Sequence, residues 1–203
     1  MNTSSFDERA KEWDTPRRVA LAEAVSGAIL ERIDFTSPLR IVDFGAGTGL
    51  VSLALSGRAE KVLAVDSSAG MLEVLAEKAS RQGIKNVEAL YSENFGESVE
   101  KNAWDLIVSS LVLHHVKDHK ALIQQLYDLL QPGGRIALAD LEKEEGDFHD
   151  SNEEIHHFGF SPEEILEIFE GAGFQDIKID RIYEMEKKEK NKRFGVFLVT
   201  ATK

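Results

Sequence analysis

Apolar and polar positions follow two different rhythms along this chain, and the switches between them mark its elements. Over 17–33 the residues Val19, Leu21, Ala22, Val25, Ala28, Ile29 and Ile33 fall close to helical spacing, behind Pro16, which suits a first helical turn. We expect two helices before the sheet, this being the second of them. Ser37-Pro38 breaks the pattern, because the residue before a proline is pushed out of the helical region. Short apolar runs then alternate with helical stretches: strands over 40–44, 61–65, 87–90, 104–109 and 134–140, and helices over 48–56, 69–82 and 118–130. Such alternation predicts a parallel sheet with helices on both faces. Asp118 is placed to cap its helix and Pro132-Gly133 to stop it. A further helix over 162–170 has Ser161 at its cap, Pro162 in its first turn, Glu163 and Glu164 at its positive end, and Gly171 just past its finish. Two last strands, 176–185 and 194–202, flank a basic turn over 187–193; neighbours so closely linked pair antiparallel.

Composition narrows the classes. The 203 residues, 42% hydrophobic and 30% charged, suit one core of ordinary size. A formal charge of −12 repels phosphate backbones and argues against a nucleic-acid substrate. The acidic stretch over 142–154 and the basic turn both read as solvated loops. With no cysteine there is no disulfide, thiolate metal site or cysteine nucleophile. The polar N-terminus has no apolar signal core, and no apolar run approaches the ~20 residues that span a bilayer, so a cytoplasmic protein without membrane contact is the expectation.

The chemistry gathers around Ile41-Val42-Asp43-Phe44-Gly45-Ala46-Gly47-Thr48-Gly49, an apolar strand running into three alternating glycines. Glycines permit a sharp turn and let a ligand approach main-chain N–H groups. A second strand ends in Asp66, an acid placed to accept hydrogen bonds from ribose hydroxyls. Together they predict an adenosine-type cofactor. The dinucleotide fingerprint G-x-G-x-x-G needs its third glycine where this chain has Leu50. The observed G-x-G-x-G, preceded by Asp43, instead resembles motif I of the class I S-adenosylmethionine-dependent methyltransferases. Four more segments resemble that family in its order: Val65-Asp66-Ser67-Ser68-Ala69-Gly70-Met71-Leu72; Leu90-Tyr91-Ser92-Glu93-Asn94-Phe95; Trp104-Asp105-Leu106-Ile107-Val108-Ser109-Ser110 with Leu113-His114-His115-Val116; and Leu129-Leu130-Gln131-Pro132-Gly133-Gly134-Arg135-Ile136. One departure is Glu93, with Ser92 before it, where the family has Asp after Gly.

The resemblance covers residues 38–140 and implies an α/β, Rossmann-like, doubly wound sheet of seven strands, mostly parallel with an antiparallel last strand. It implies one domain over 1–203: N-terminal helices and a lid over 1–37, a cofactor-binding core over 38–140, and a substrate-side loop, helix and strand pair over 141–203. By the same resemblance Gly45, Ala46, Gly47 and Gly49 support the methionine part of S-adenosylmethionine, and Asp43 anchors its ammonium group. Asp66 holds the ribose, Ser67 and Met71 flank the adenine, Glu93 and Asn94 meet its polar edge, and Ser109 and Ser110 line the donor methyl. His114 and His115 are the candidate catalytic pair, as a general base or as residues that settle a turn. His149, His156 and His157 share a segment with Asp140, Glu142 and Asp147, types that can hold zinc or a similar ion, but no compact ligand motif is present and no metal is assigned. Arg9-Ala10-Lys11-Glu12-Trp13-Asp14 is similar to a lid opening in several small-molecule methyltransferases, with Trp13 stacking on a ligand or packing its helix. The expected reaction is methyl transfer to a small-molecule acceptor. A nicotinamide-dependent oxidoreductase and a non-catalytic S-adenosylmethionine-binding module stay open as alternatives; the acceptor and the oligomeric state are not specified.

Overall fold

The computed structural model describes residues 4–149, 155–187 and 190–203. Two helices, α1 (Ser4–Arg9) and α2 (Pro16–Arg32), precede β1 (Leu39–Phe44), α3 (Leu50–Leu55), β2 (Ala59–Asp66), α4 (Ala69–Arg81), β3 (Val87–Tyr91) and α5 (Phe95–Ser98). There follow β4 (Trp104–Ser110), α6 (His119–Leu129), β5 (Leu130–Leu141), α7 (Pro162–Ala172), β6 (Gln175–Lys187) and β7 (Lys192–Thr202). The seven strands lie in the order β3-β2-β1-β4-β5-β7-β6. β7 runs antiparallel to both β5 and β6, and the other pairings are parallel. This is the Rossmann-like sheet that the alternation and the closing hairpin predict.

Why the central strands are apolar throughout follows from their two covered faces. Ile41, Leu106 and Val108 pack with Val25 and Ile29 of α2 and with Val51 and Leu55 of α3. Their neighbours Val42 and Ile107 turn the other way, onto Ile123 and Leu126 of α6 and Ile165 and Phe169 of α7. Each of these side chains is almost wholly buried and contributes on the order of 1.5–3 kcal/mol against exposure. The helix starts are fixed by side chains as well: Thr15, Ser68 and Asp118 each accept a first-turn N–H, and Ser161 and Glu164 form a reciprocal capping box.

Several boundaries differ from expectation. α7 runs through Gly171 to Ala172 and ends at Gly173, whose φ of 97° provides the left-handed stop. α6 stops at Leu129 because Leu130 takes up extended backbone and pairs with Trp104, so Pro132-Gly133 lies inside β5. α3 starts at Leu50, since Thr48 and Gly49 still belong to the glycine turn. The acidic stretch and the basic turn are not independent solvated loops. Lys192 pairs with both Glu145 and Asp147, and Lys190 Nζ donates to the carbonyls of Asp147 (2.6 Å) and His149 (3.0 Å). Lys187, 8% exposed, donates to the Phe148 carbonyl. Asp150, Glu153 and Glu154 of that stretch, and Lys188 and Glu189 of the turn, lie outside the described residues, as do Met1, Asn2 and Thr3 of the polar N-terminus.

Candidate active site

The chain leaves β1 toward β2 on one side and returns beside it as β4 on the other, so the sheet's switch point lies at the carboxyl ends of these strands. There a cavity of about 320 Å³ opens. The turn from β1 to α3 forms its floor. Gly45 and Ala46 donate their N–H groups to the Val65 carbonyl, at 2.8 and 3.1 Å, which ties the turn to β2. Gly45 has φ +69°, and a β-carbon there would lie 2.3 Å from Val112. No other residue fits that position.

Of the residues assigned in the sequence to the cofactor or to catalysis, Asp43, Gly45, Ala46, Gly47, Asp66, Ser67, Met71, Glu93, Ser110 and His115 line this cavity. Four do not. Gly49 caps α3 with its Cα against Leu75. Asn94 is exposed at the start of α5. Ser109 faces away from Ser110, as consecutive strand residues must, and its buried Oγ donates to the Phe44 carbonyl at 2.8 Å. His114 is buried behind His115, with its Nδ1 2.6 Å from Asp140 Oδ1.

Electrostatics says what kind of ligand fits. Asp43 is 2% exposed; burial pushes its carboxyl up to about 7, and the charge of Asp66 adds to the rise, against the hydrogen bond from Ser52 Oγ at 2.5 Å. Burial also raises the Asp66 carboxyl, although it accepts the N–H groups of Gly47 (2.7 Å) and Ser68 (2.8 Å). Two desolvated carboxylates on one cavity wall favour a ligand that brings positive charge and hydroxyl donors. They oppose a pyrophosphate. S-adenosylmethionine carries a sulfonium, an ammonium and a ribose diol, and so fits this donor set.

The chain matches the methyltransferase-domain family over residues 14–179. It is 31% identical to an uncharacterized methyltransferase of Schizosaccharomyces pombe, across 88% of this chain and 80% of that protein. A crystal structure of a SAM-dependent methyltransferase from Aquifex aeolicus superposes with a TM-score of 0.72 at 26% identity, covering 97% of each chain. A demethylmenaquinone methyltransferase of Lactococcus lactis is 29% identical over 53% of this chain and 44% of that enzyme.

The chain belongs to the S-adenosylmethionine-dependent methyltransferases.

That family sets aside the nicotinamide reading, in agreement with the charge of the cavity. The methyltransferase closes its cavity with residues of the N-terminal helices. Phe6, Trp13, Arg18, Leu21 and Ala22 all reach the lining. The Arg18 guanidinium stacks 3.7 Å above the Trp13 ring and donates to the Trp13 carbonyl at 3.0 Å. Two aspartates pin this cover. Asp7 accepts Ser68 Oγ at 2.6 Å and the Gly70 N–H at 2.9 Å, bonds that hold its carboxyl below the usual range. Asp14 accepts Thr48 Oγ1 at 2.5 Å and pairs with Lys78 at 2.7 Å.

Sequence reasoning found Trp13, and Asp14 as part of the same lid motif but without its partners; it did not find Arg18 or Asp7, whose contacts leave no local spacing to read. Among the histidines, His149 comes to 3.1 Å from His114 Nε2, and burial lowers its imidazole to about 3. His156 is exposed, and His157 pairs with His119 at 3.1 Å. Among the described residues no helix is long and apolar enough to cross a membrane.

Proposed function

We propose that the methyltransferase transfers its methyl group to a small molecule held under the N-terminal cover. One observation carries this reading: the cavity at the switch point is limited to about 320 Å³ and roofed by Phe6, Trp13 and Arg18 from the chain's own N-terminal segment. A net charge of −12 argues in the same direction, against a polyanionic acceptor. A relative named for methylating demethylmenaquinone shows that small acceptors occur among similar proteins.

S-adenosylmethionine supplies a methyl group already activated by its sulfonium. The rest is positioning. In this reading Asp66 takes the ribose hydroxyls, Asp43 faces the ammonium group, and Gly45, Ala46 and Gly47 bring backbone close to the methionine part. Ser67, Met71 and Glu93 border the adenine. Gly49 and Ser109 support this wall from behind, and Asn94 stands outside it. Ser110 and His115 border the acceptor, and the cover excludes water while donor and acceptor are held in line. Acceptor activation belongs to the His114–His115 turn, with His115 on the cavity wall and His114 fixing it from within.

A radiolabelled donor incubated with the enzyme and a metabolite extract, with bulk tRNA and protein present, tests the reading. Label in a small-molecule product, identified by mass, is the expected result. Label confined to macromolecules overturns it.

A further inference from the structure

His114, His115 and His149 bring ring nitrogens from two separate segments to within 4.8 Å of one another. The first two belong to a single 3-10 turn after β4, and His149 comes from the loop that follows β5. His114 is the innermost. Its Nδ1 meets Asp140 Oδ1 at 2.6 Å, and the same carboxylate accepts the N–H of Leu141 at 2.7 Å and of His114 itself at 3.3 Å. Asp140 therefore acts as an acceptor throughout, and the proton sits on His114 Nδ1. That leaves the lone pair of His114 Nε2 directed toward His149 Nε2, 3.1 Å away. A buried carboxylate that fixes the tautomer of an imidazole in this way is the usual support of a metal-binding histidine.

We infer that these three histidines form a binding site for one divalent transition-metal ion of the zinc type. Two imidazole nitrogens bound to a tetrahedral zinc at bond lengths near 2.0–2.1 Å stand roughly 3.3 Å apart, close to the separation of His114 and His149. A ring nitrogen of His115 lies within 4.8 Å of both. Three neutral imidazoles select zinc, copper, nickel or iron over magnesium or calcium, which prefer oxygen. The backbone around His149 is held for this purpose: Lys187 and Lys190 donate to the carbonyls of Phe148, Asp147 and His149. His114 is held by two backbone bonds onto its carbonyl, from the N–H groups of His156 (3.0 Å) and His157 (3.1 Å).

Three protein nitrogens leave a fourth position open, the arrangement of zinc sites that act on a substrate. His115 lines the cavity, so that position lies at the cavity's edge. Resting on the methyl-transfer reading above, the acceptor it suits is a molecule with a hydroxyl group. The ion makes that hydroxyl a stronger acid, and its proton leaves to water. The oxygen pair then forms the bond to the methyl carbon, and the pair of the broken carbon–sulfur bond stays on sulfur.

The test uses the whole chain, stripped with a chelator and titrated with Co²⁺ and then Zn²⁺ without any methyl donor. One Co²⁺ per chain with the visible bands of a low-symmetry nitrogen-ligated ion, displaced by one Zn²⁺, is expected. His149→Ala, at a partly exposed position that spares folding, is expected to weaken Co²⁺ binding about 100-fold or more, and Asp140→Asn about 10- to 100-fold. His119→Ala, outside the cluster, keeps it. No visible spectrum in the wild type, or unchanged binding in His149→Ala, overturns the site. Metal binding as described with methyl transfer only to acceptors lacking a hydroxyl upholds the site and overturns its role in activating the acceptor, whereas no transfer to any small molecule counts instead against the proposed function.

Discussion

The two walls of the cavity are built in different ways. On the cofactor wall, the Gly45 turn and Asp66 belong to consecutive strands, and the bond from Gly47 N–H to Asp66 follows directly from the pairing of β1 with β2. On the acceptor wall only the turn of His114 and His115 after β4 is local. Asp14 reaches Thr48 and Lys78, Asp7 reaches Ser68 and Gly70, and His149 reaches back to His114. The first wall is a property of one strand-turn-strand unit. The second is completed only once the N-terminal helices and the loop after β5 have docked, so under the proposed function the acceptor side can vary while the turn that takes the donor stays the same.

The sharpest way to break this division is Asp66→Ala. Removing a desolvated, charge-assisted acceptor of ligand hydroxyls is expected to lower S-adenosylmethionine affinity about 30- to 100-fold, measured by calorimetry. Folding stability should hold or rise, because burial already disfavours this carboxylate in the free protein. Wild-type affinity in the variant would place the donor elsewhere, and the contrast between the walls would fail with it.

The same division explains which parts were legible in the sequence. The glycine turn, Asp66, the Ser161 cap and the closing hairpin each rest on spacing within a short window, and the structure contains all four. Ser109 was readable too: strand periodicity puts only one of Ser109 and Ser110 on a given face, and the pair cannot share a cavity. The end of α7 illustrates a weaker signal, for Gly171 and Gly173 are equal as residues. The helix runs on past Gly171 because Ala172 and Phe174 bury against the core, and the stop falls at the glycine between them. The lysine clamp on the His149 loop and the partners of the aspartates that pin the cover had no such window. Each partner lies tens of residues away, and a charged residue on its own reads as solvated.

A second effect, of about tenfold, separates the walls by pH. The Asp43 carboxyl lies near 7 in the folded free protein against an ordinary 3.8, with burial as the main cause. A raised folded value means stability present below 3.8 that is lost as pH climbs through about 7, so Asp43 makes the free protein less stable toward neutral pH. A cationic ligand prefers the ionised form. Donor affinity is therefore expected to rise about tenfold between roughly pH 6 and pH 8, as the ionised fraction rises from about a tenth to nine-tenths. Asp43→Asn should flatten that rise and also remove the pH-dependent part of the melting temperature that Asp43 contributes. A slope that survives the substitution would assign the titration to another group.

The smallest effect tests the acceptor wall by itself. Asp14→Ala removes one hydrogen bond to Thr48 and one ion pair with Lys78, both on a partly exposed side chain. Contacts of that kind amount to a few tenths to one kcal/mol, so the N-terminal cover should loosen without detaching. Asp14 does not line the cavity and pins the N-terminal cover, whereas Asp43 and Asp66, proposed above to meet the donor, are untouched. The expected result is an acceptor KM raised about two- to fivefold with donor affinity within about twofold of wild type. An equal loss of both would mean that the cover serves the donor as much as the acceptor. The two walls would then act as one.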